Sequence, residues 1–120
     1  MSFKTRFPIT VTTIADGSAT AYSDMMNGAI ESVEYAKTDY TNGVDFTITT
    51  ENTAQNVWVD TDVNASETVY PRIATNGTDG AALSGAGTLA TQIPVANDRV
   101  KIVLGSGGDT KTGTFYITIG

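Results

Sequence analysis

The sequence contains no cysteine and no histidine among its 120 residues. The first absence excludes disulfides, zinc thiolates and thiol catalysis. The second removes the commonest general base and the commonest transition-metal ligand. Together they predict a chain with no catalytic residues, no metal and no cofactor. We therefore expect a structural or binding protein rather than an enzyme.

Basic residues are also scarce, with seven Lys and Arg against thirteen Asp and Glu, for a net charge of −6. They form no cluster that could follow a phosphate backbone, so no nucleic-acid partner is predicted. The first residues lack the apolar run of a signal peptide, and no stretch is long enough to span a bilayer. We therefore expect that the protein is made in a cytoplasm and does not associate with a membrane.

Helical patterns are almost absent, since Leu occurs three times while Thr, Val and Ile, which favour strands, are abundant. Residues 44–50 (VDFTITT) alternate apolar and polar side chains with the period of a half-buried strand. Residues 99–104 and 113–119 do the same, and 105–112 between them are predicted to be the loop of a terminal hairpin.

About eight short antiparallel strands with turn residues between them predict a single all-β domain over residues 1–120, as a sandwich, jelly roll or barrel. A single turn of helix is the alternative structure considered for 23–28. The other predicted strands cover residues 7–11, 19–21, 28–35, 56–60 and 68–73.

Two segments are predicted to dock against a partner. They are an N-terminal arm over residues 1–6 and a long loop rich in Gly and Ala over residues 74–92. Trp58 is out of phase with Val57 and Val59, which predicts that it lies on the opposite face, where it caps a second layer or meets a subunit. Packing in the core or between the sheets is the interpretation of Trp58 that we favour. The predicted contact residues are Phe3, Lys4, Arg6, Trp58, Leu83 and Leu89.

Three motifs suggest chemistry but are incomplete. Residues 60–64 (DTDVN) space oxygen side chains as a calcium loop begins, yet the Gly and the distal Glu are missing, so a turn between strands is predicted. Residues 108–112 resemble the end of a phosphate-binding loop, but they lead into a strand. Carboxylates such as Glu31 and Asp45 are predicted to lie on solvent faces rather than to pair as in a glycosidase.

The order of several segments is more informative than any single motif. Residues 28–35 (GAIESVEY) precede 43–51 (GVDFTITTE), and Tyr70-Pro-Arg72 and the Gly/Ala-rich segment follow. After them come IPVANDRVKIV, which ends at Val103, and GGDTKTGTF, which ends at Phe115. Over residues 28–120 this order resembles a family of small virion proteins of tailed bacteriophages that decorate or cement the head.

The resemblance implies a β-rich module on the capsid surface of a virion, made in the bacterial host. Its partner would be the major capsid protein, which it would stabilise in many copies, together with neighbouring copies of itself in a homo-oligomer. Docking would use β-edges, arms and apolar anchors. The alternatives are a tail or neck subunit, a carbohydrate-binding β-sandwich with exposed aromatic residues around Trp58, and an enzyme that uses carboxylates alone.

Overall fold

The chain folds as an all-β structure, as the sequence predicts. The computed structural model describes residues 4–82 and 90–120, and no helix within these ranges is long and apolar enough to cross a membrane. The strands in chain order are β1 (Thr5–Thr12), β2 (Ala19–Tyr22), β3 (Met26–Ala36), β4 (Val44–Thr50), β5 (Asn56–Val63), β6 (Glu67–Val69), β7 (Ile73–Ala74), β8 (Ala90–Thr91), β9 (Ile93–Asp98), β10 (Val100–Gly105) and β11 (Thr112–Ile119).

Two antiparallel sheets form the body of the protein. In the front sheet the order is β1-β11-β3-β6, with β9 pairing the first half of the long strand β3. In the back sheet the order is β2-β10-β4-β5. A separate ribbon pairs β7 with β8. Because β9 and β10 are separated by Arg99 alone, one extended run passes directly from the front sheet to the back sheet.

The alternating strands bury their apolar faces between the two sheets, as predicted. Val44, Phe46 and Ile48 of β4 are at most 2 % exposed. The alternate residues Val100, Ile102 and Leu104 of β10 and Phe115, Ile117 and Ile119 of β11 are buried in the same way, and all belong to one core cluster. This burial supplies the dominant favourable contribution to folding.

Aromatic rings join the two sheets at the centre of the core. The rings of Tyr35 and Phe115 in the front sheet lie 5.5 and 5.2 Å from that of Phe46 in the back sheet, centroid to centroid. Tyr35 and Phe115 are 5.3 Å apart, in a stacked arrangement. Offset and edge-on pairs of this kind add to the burial energy of the rings. The cluster therefore fixes how the sheets lie against each other.

Tyr40 closes one end of the sandwich from the loop between β3 and β4. Its buried hydroxyl donates to the carbonyl oxygen of Val11 at 2.5 Å, and its ring stacks on Tyr35 with centroids 6.1 Å apart. The ring covers the backbone of Gly113 so closely that a methyl group there would overlap it. Burial raises the pKa of the Tyr40 hydroxyl.

Three loops are tied together at the end that Tyr40 closes. The Thr13 hydroxyl donates to the carbonyl oxygen of Gly108 at 2.6 Å and accepts from the amide of Lys111 at 2.8 Å. The Thr41 amide donates to the carbonyl oxygen of Gly107. The Gly107 amide donates to the carbonyl oxygen of Gly17. The loops β1–β2, β3–β4 and β10–β11 therefore form one hydrogen-bonded unit, which we call the tied end.

Several boundaries predicted from the sequence are wrong. The terminal hairpin is not formed, because β10 pairs β2 and β4 in the back sheet whereas β11 pairs β1 and β3 in the front sheet. Residues 60–64 are not a turn, since β5 continues to Val63. The strand predicted over 68–73 breaks between Val69 and Ile73, around Pro71, which has no amide hydrogen to donate.

Further corrections concern the segments predicted as flexible or helical. Residues 26–28 belong to β3 rather than to a helical turn. The arm over 1–6 is shorter than predicted, because β1 begins at Thr5. The long loop over 74–92 contains part of the β7–β8 ribbon and a turn closed by a bridge between Asn76 and Ala82.

We predict opposite effects of removing the two buried tyrosyl hydroxyls. The Tyr35 hydroxyl is buried without a hydrogen-bond partner among the described residues, so Tyr35→Phe should leave the free energy of unfolding unchanged or raise it by about 1 kcal/mol. Tyr40→Phe should lower it by about 0.5–1.5 kcal/mol, since the Val11 carbonyl loses its donor. Urea denaturation measures both, and equal losses in the two variants would contradict this account.

Candidate functional site

The residues predicted to contact a partner do not come together in one surface. Phe3, Leu83 and Leu89 lie outside the described residues. Lys4 pairs with Glu31, and Arg6 pairs with Glu34 at 2.6 Å. These ion pairs join the start of β1 to β3 across the front sheet.

The charges of Lys4 and Arg6 are therefore compensated within the chain. The Arg6 guanidinium also lies over the Tyr116 ring, 3.9 Å from its centroid. More than half of the Lys4 and Arg6 side-chain surface is exposed, so each pair contributes little to stability. To bind acidic groups of a partner, both side chains would first have to give up these contacts.

Trp58 packs against the core rather than on an exposed face. Its ring meets Phe46 edge-on, with centroids 4.6 Å apart. The favoured prediction of core packing is confirmed, whereas the predicted common face of Val57 and Val59 is wrong because the pairing of β4 with β5 shifts between Ile48 and Thr49. This bulge turns both Val57 and Trp58 toward the core, and Val59 points outward with 52 % of its surface exposed.

The edge strands of both sheets carry features that oppose the addition of another strand. Pro8 lies within β1 and Pro94 within β9, and neither has an amide hydrogen to donate. Strand β5 has two register shifts and places Asp62 in a left-handed conformation (φ 55°). Strands β2 and β6 have four and three residues. These are recognised devices against edge-to-edge pairing, so docking through β-edges is disfavoured.

Acidic side chains are concentrated toward the tied end. Asp16, Asp39 and Asp109 lie in its three loops, and the end of β5 adds Asp60 and Asp62. The Ser18 hydroxyl and amide donate to Asp16 at 2.7 and 3.0 Å, which lowers the pKa of that carboxyl. The carboxylate of Asp39 accepts from the amide of Thr112. Some of these carboxylates therefore serve the loops themselves.

Residues 60–67 curve around an open concavity of about 340 Å³ beside this acidic region. The Asp45 carboxylate accepts from the Asp62 amide at 2.9 Å, and the Asp60 carboxylate accepts from the amide of Thr61. Within the part of the chain that the structure describes, no three carboxylates converge as a metal site. The concavity is therefore lined by backbone and by side chains that do not converge on a common point.

Residues 108–112, which resemble the end of a phosphate-binding loop, and Gly107 before them do not form a ring of available amides. The Gly107 amide donates to the carbonyl oxygen of Gly17, and the Lys111 amide donates to the Thr13 hydroxyl. The Thr112 amide donates to Asp39. Amides that are already bonded within the chain cannot hold a phosphate group, so this loop acts in the fold.

The outer face of the back sheet carries the clearest candidate for an interaction surface. One row of paired residues runs across the four strands of this sheet, in the order Thr20, Val103, Thr47 and Val59. Val103 and Val59 are 40 % and 52 % exposed. Tyr22, 42 % exposed, lies in the neighbouring row opposite Lys101. We call Val59, Val103 and Tyr22 the outer patch.

Polar groups frame the outer patch. The guanidinium of Arg99 covers one side of the Tyr22 ring, 4.1 Å from its centroid, and its Nε donates to Glu51 at 2.5 Å. The hydrogen bond to Glu51 raises the pKa of Arg99. Exposed apolar side chains with a polar rim are typical of protein contact surfaces. The sequence showed the outward phase of Val103, but the bulge that exposes Val59 carried no sequence signal.

No family model matches the chain, and no curated protein matches its sequence. Among solved structures it is similar to the crystal structure of FLHE, with 10 % sequence identity over 98 % of each chain and a TM-score of 0.49. The functional assignment therefore depends on the residues of this chain.

We predict that stability does not depend on a divalent cation. Because carboxylates do not converge around residues 60–67, adding a chelator should leave the midpoint of thermal unfolding unchanged. Differential scanning calorimetry with and without chelator measures this. If the chelator lowers the midpoint of thermal unfolding and added calcium restores it, then residues 60–67 bind a cation and the prediction is wrong.

Proposed function

We propose that this chain is a structural protein of a tailed-bacteriophage virion that decorates the capsid and stabilises it by binding the major capsid protein. The observation that carries the proposal is the outer patch, in which Val59 of β5, Val103 of β10 and Tyr22 of β2 are exposed on one sheet. The order of sequence segments over residues 28–120 supports the choice of partner, because it resembles that of head-decorating proteins.

The distribution of charge favours docking through this face. The chain has a net charge of −6, and the loops of the tied end contribute Asp16, Asp39 and Asp109 to it. The rows of the outer patch carry Thr20, Thr47 and Lys101 beside its apolar side chains. Arg99 and Glu51 at its rim are already paired with each other. Covering this face therefore costs less hydration energy than covering the acidic end, which would desolvate several carboxylates.

The construction of the edges favours docking as separate modules over a continuous sheet. Pro8, Pro94 and the bulges of β5 oppose strand addition between copies. Neighbouring copies on a particle would then meet through loops and side chains. A rigid module that adds buried area between capsid subunits strengthens the lattice without any chemical step.

We predict that charge placed in the outer patch weakens binding to capsids. Val59→Lys and Val103→Lys together should reduce the fraction that sediments with purified capsids about tenfold or more, because two desolvated charges would each cost well over 1 kcal/mol. The matched control is Thr10→Lys with Thr12→Lys on the outer face of the front sheet, which should bind as the parent does.

Circular dichroism of all three proteins separates lost binding from lost folding. Equal sedimentation of the patch variant and the control variant would remove the outer patch from the interface. If the folded parent chain does not sediment with capsids, the proposed function itself is wrong. A high copy number per particle distinguishes decoration from a tail or neck subunit, which would be present in few copies.

A further inference from the structure

Three Asn-Gly dipeptides occur in the chain, at residues 27–28, 42–43 and 76–77. In this dipeptide the amide nitrogen of Gly, which no Cβ shields, can attack the side-chain carbonyl carbon of Asn. The new C–N bond closes a five-membered succinimide, and the Asn amide nitrogen leaves as ammonia. Water then opens the ring to aspartate or isoaspartate. The attack requires a Gly amide free of hydrogen bonds and a backbone that can rotate.

The fold opposes this reaction at Asn42. The Gly43 amide donates to Asn64 Oδ1 at 2.7 Å and to the carbonyl oxygen of Val63 at 3.3 Å. The Asn42 side chain is held as well, since its Oδ1 accepts from Lys37 Nζ at 2.5 Å. Both reacting groups are therefore fixed beside the end of β5.

The fold also opposes it at Asn27, inside strand β3. Asn27 Oδ1 accepts from the Asn97 amide at 2.7 Å. Gly28 lies opposite Val95 in the β3–β9 ladder, and the carbonyl oxygen of the next residue, Ala29, accepts from the Gly120 amide. Rotation at this position would break the β3–β9 ladder.

Within the part of the chain that the structure describes, Asn76 is held by the fewest contacts of the three. Its side chain is exposed, and it lies in the turn that follows β7, outside both sheets. The Gly77 amide donates to the carbonyl oxygen of Ala81 at 2.8 Å, and the Gly80 amide donates to that of Gly77 at 3.0 Å. Among the described residues these bonds and the Asn76–Ala82 bridge are local to the turn, so they can open without disturbing the core.

We propose that Asn76 is a site of spontaneous deamidation, and that the fold protects Asn27 and Asn42 from the same reaction. The product replaces a neutral carboxamide by a carboxylate and makes the chain more acidic. In the isoaspartate form one methylene group enters the backbone, which moves Gly77 out of its hydrogen bond with Ala81. The reaction thus changes the turn permanently with time.

The test is to incubate the full chain in mildly alkaline buffer and follow each site by peptide mapping with mass spectrometry. Asn76 should convert to aspartate and isoaspartate about tenfold faster than Asn27 and Asn42, because opening of the turn costs less free energy than opening of β3 or the tied end. The variant Asn76→Gln, which retains a carboxamide but reacts slowly through a larger ring, should abolish the fast conversion.

Incubation in concentrated urea provides the internal control. There all three dipeptides should react at comparable rates, because the fold that separates them has been removed. Comparable rates in urea together with a native Asn76 no faster than Asn42 would overturn the proposal. Unequal rates in urea that reproduce the native ranking would overturn it too, since neighbouring residues rather than the fold would then set the order.

Discussion

The contact between the Tyr40 ring and the backbone of Gly113 is the constraint on which the rest of the structure depends. Tyr40 reaches from the β3–β4 loop to hydrogen-bond Val11 in β1 while its ring covers β11 and stacks on Tyr35. One side chain thus joins three strands of the front sheet to the aromatic cluster that meets the back sheet. The hydrogen bonds of the three loops form around this contact.

The same constraint determines which surfaces remain for binding. The amides of the tied end are used within the chain, as those of Gly107 and Lys111 illustrate. The edge strands contain proline or bulges or are very short, and these features oppose the addition of another strand. What remains is the outward side of each sheet and the β7–β8 ribbon. We base the proposal that the protein acts by covering another protein's surface on these remaining surfaces and on the exposed Val59 and Val103.

Alternation within a strand could be predicted from the sequence, because it reflects only which side of a strand is buried. The buried Phe46 of β4 and Phe115 of β11 illustrate this. Pairing could not be predicted, because residues 105–112 join two strands equally well within one sheet or between two. The loop crosses between sheets since its amides bond to the β1–β2 and β3–β4 loops, which are distant in sequence.

The candidate site was harder to predict than the fold. The sequence pattern places Val57 and Val59 on one face, but a single bulge, which depends on the partner strand, turns Val57 to the core. The sequence predicts Lys4 and Arg6 as contacts to a partner, whereas in the fold they pair with Glu31 and Glu34 across the front sheet. Both errors come from contacts between residues far apart in the chain.

A double-mutant cycle on Gly113 and Tyr40 tests the central constraint most directly. The backbone of Gly113 is not in the left-handed region, so Ala is compatible with it and would ordinarily favour a strand. In the parent chain Gly113→Ala should nevertheless lower the free energy of unfolding by about 1–3 kcal/mol, because its methyl group overlaps the Tyr40 ring. In a Tyr40→Ala background we expect the same substitution to cost nothing or to stabilise. Equal costs in both backgrounds, measured by urea denaturation, would contradict the account.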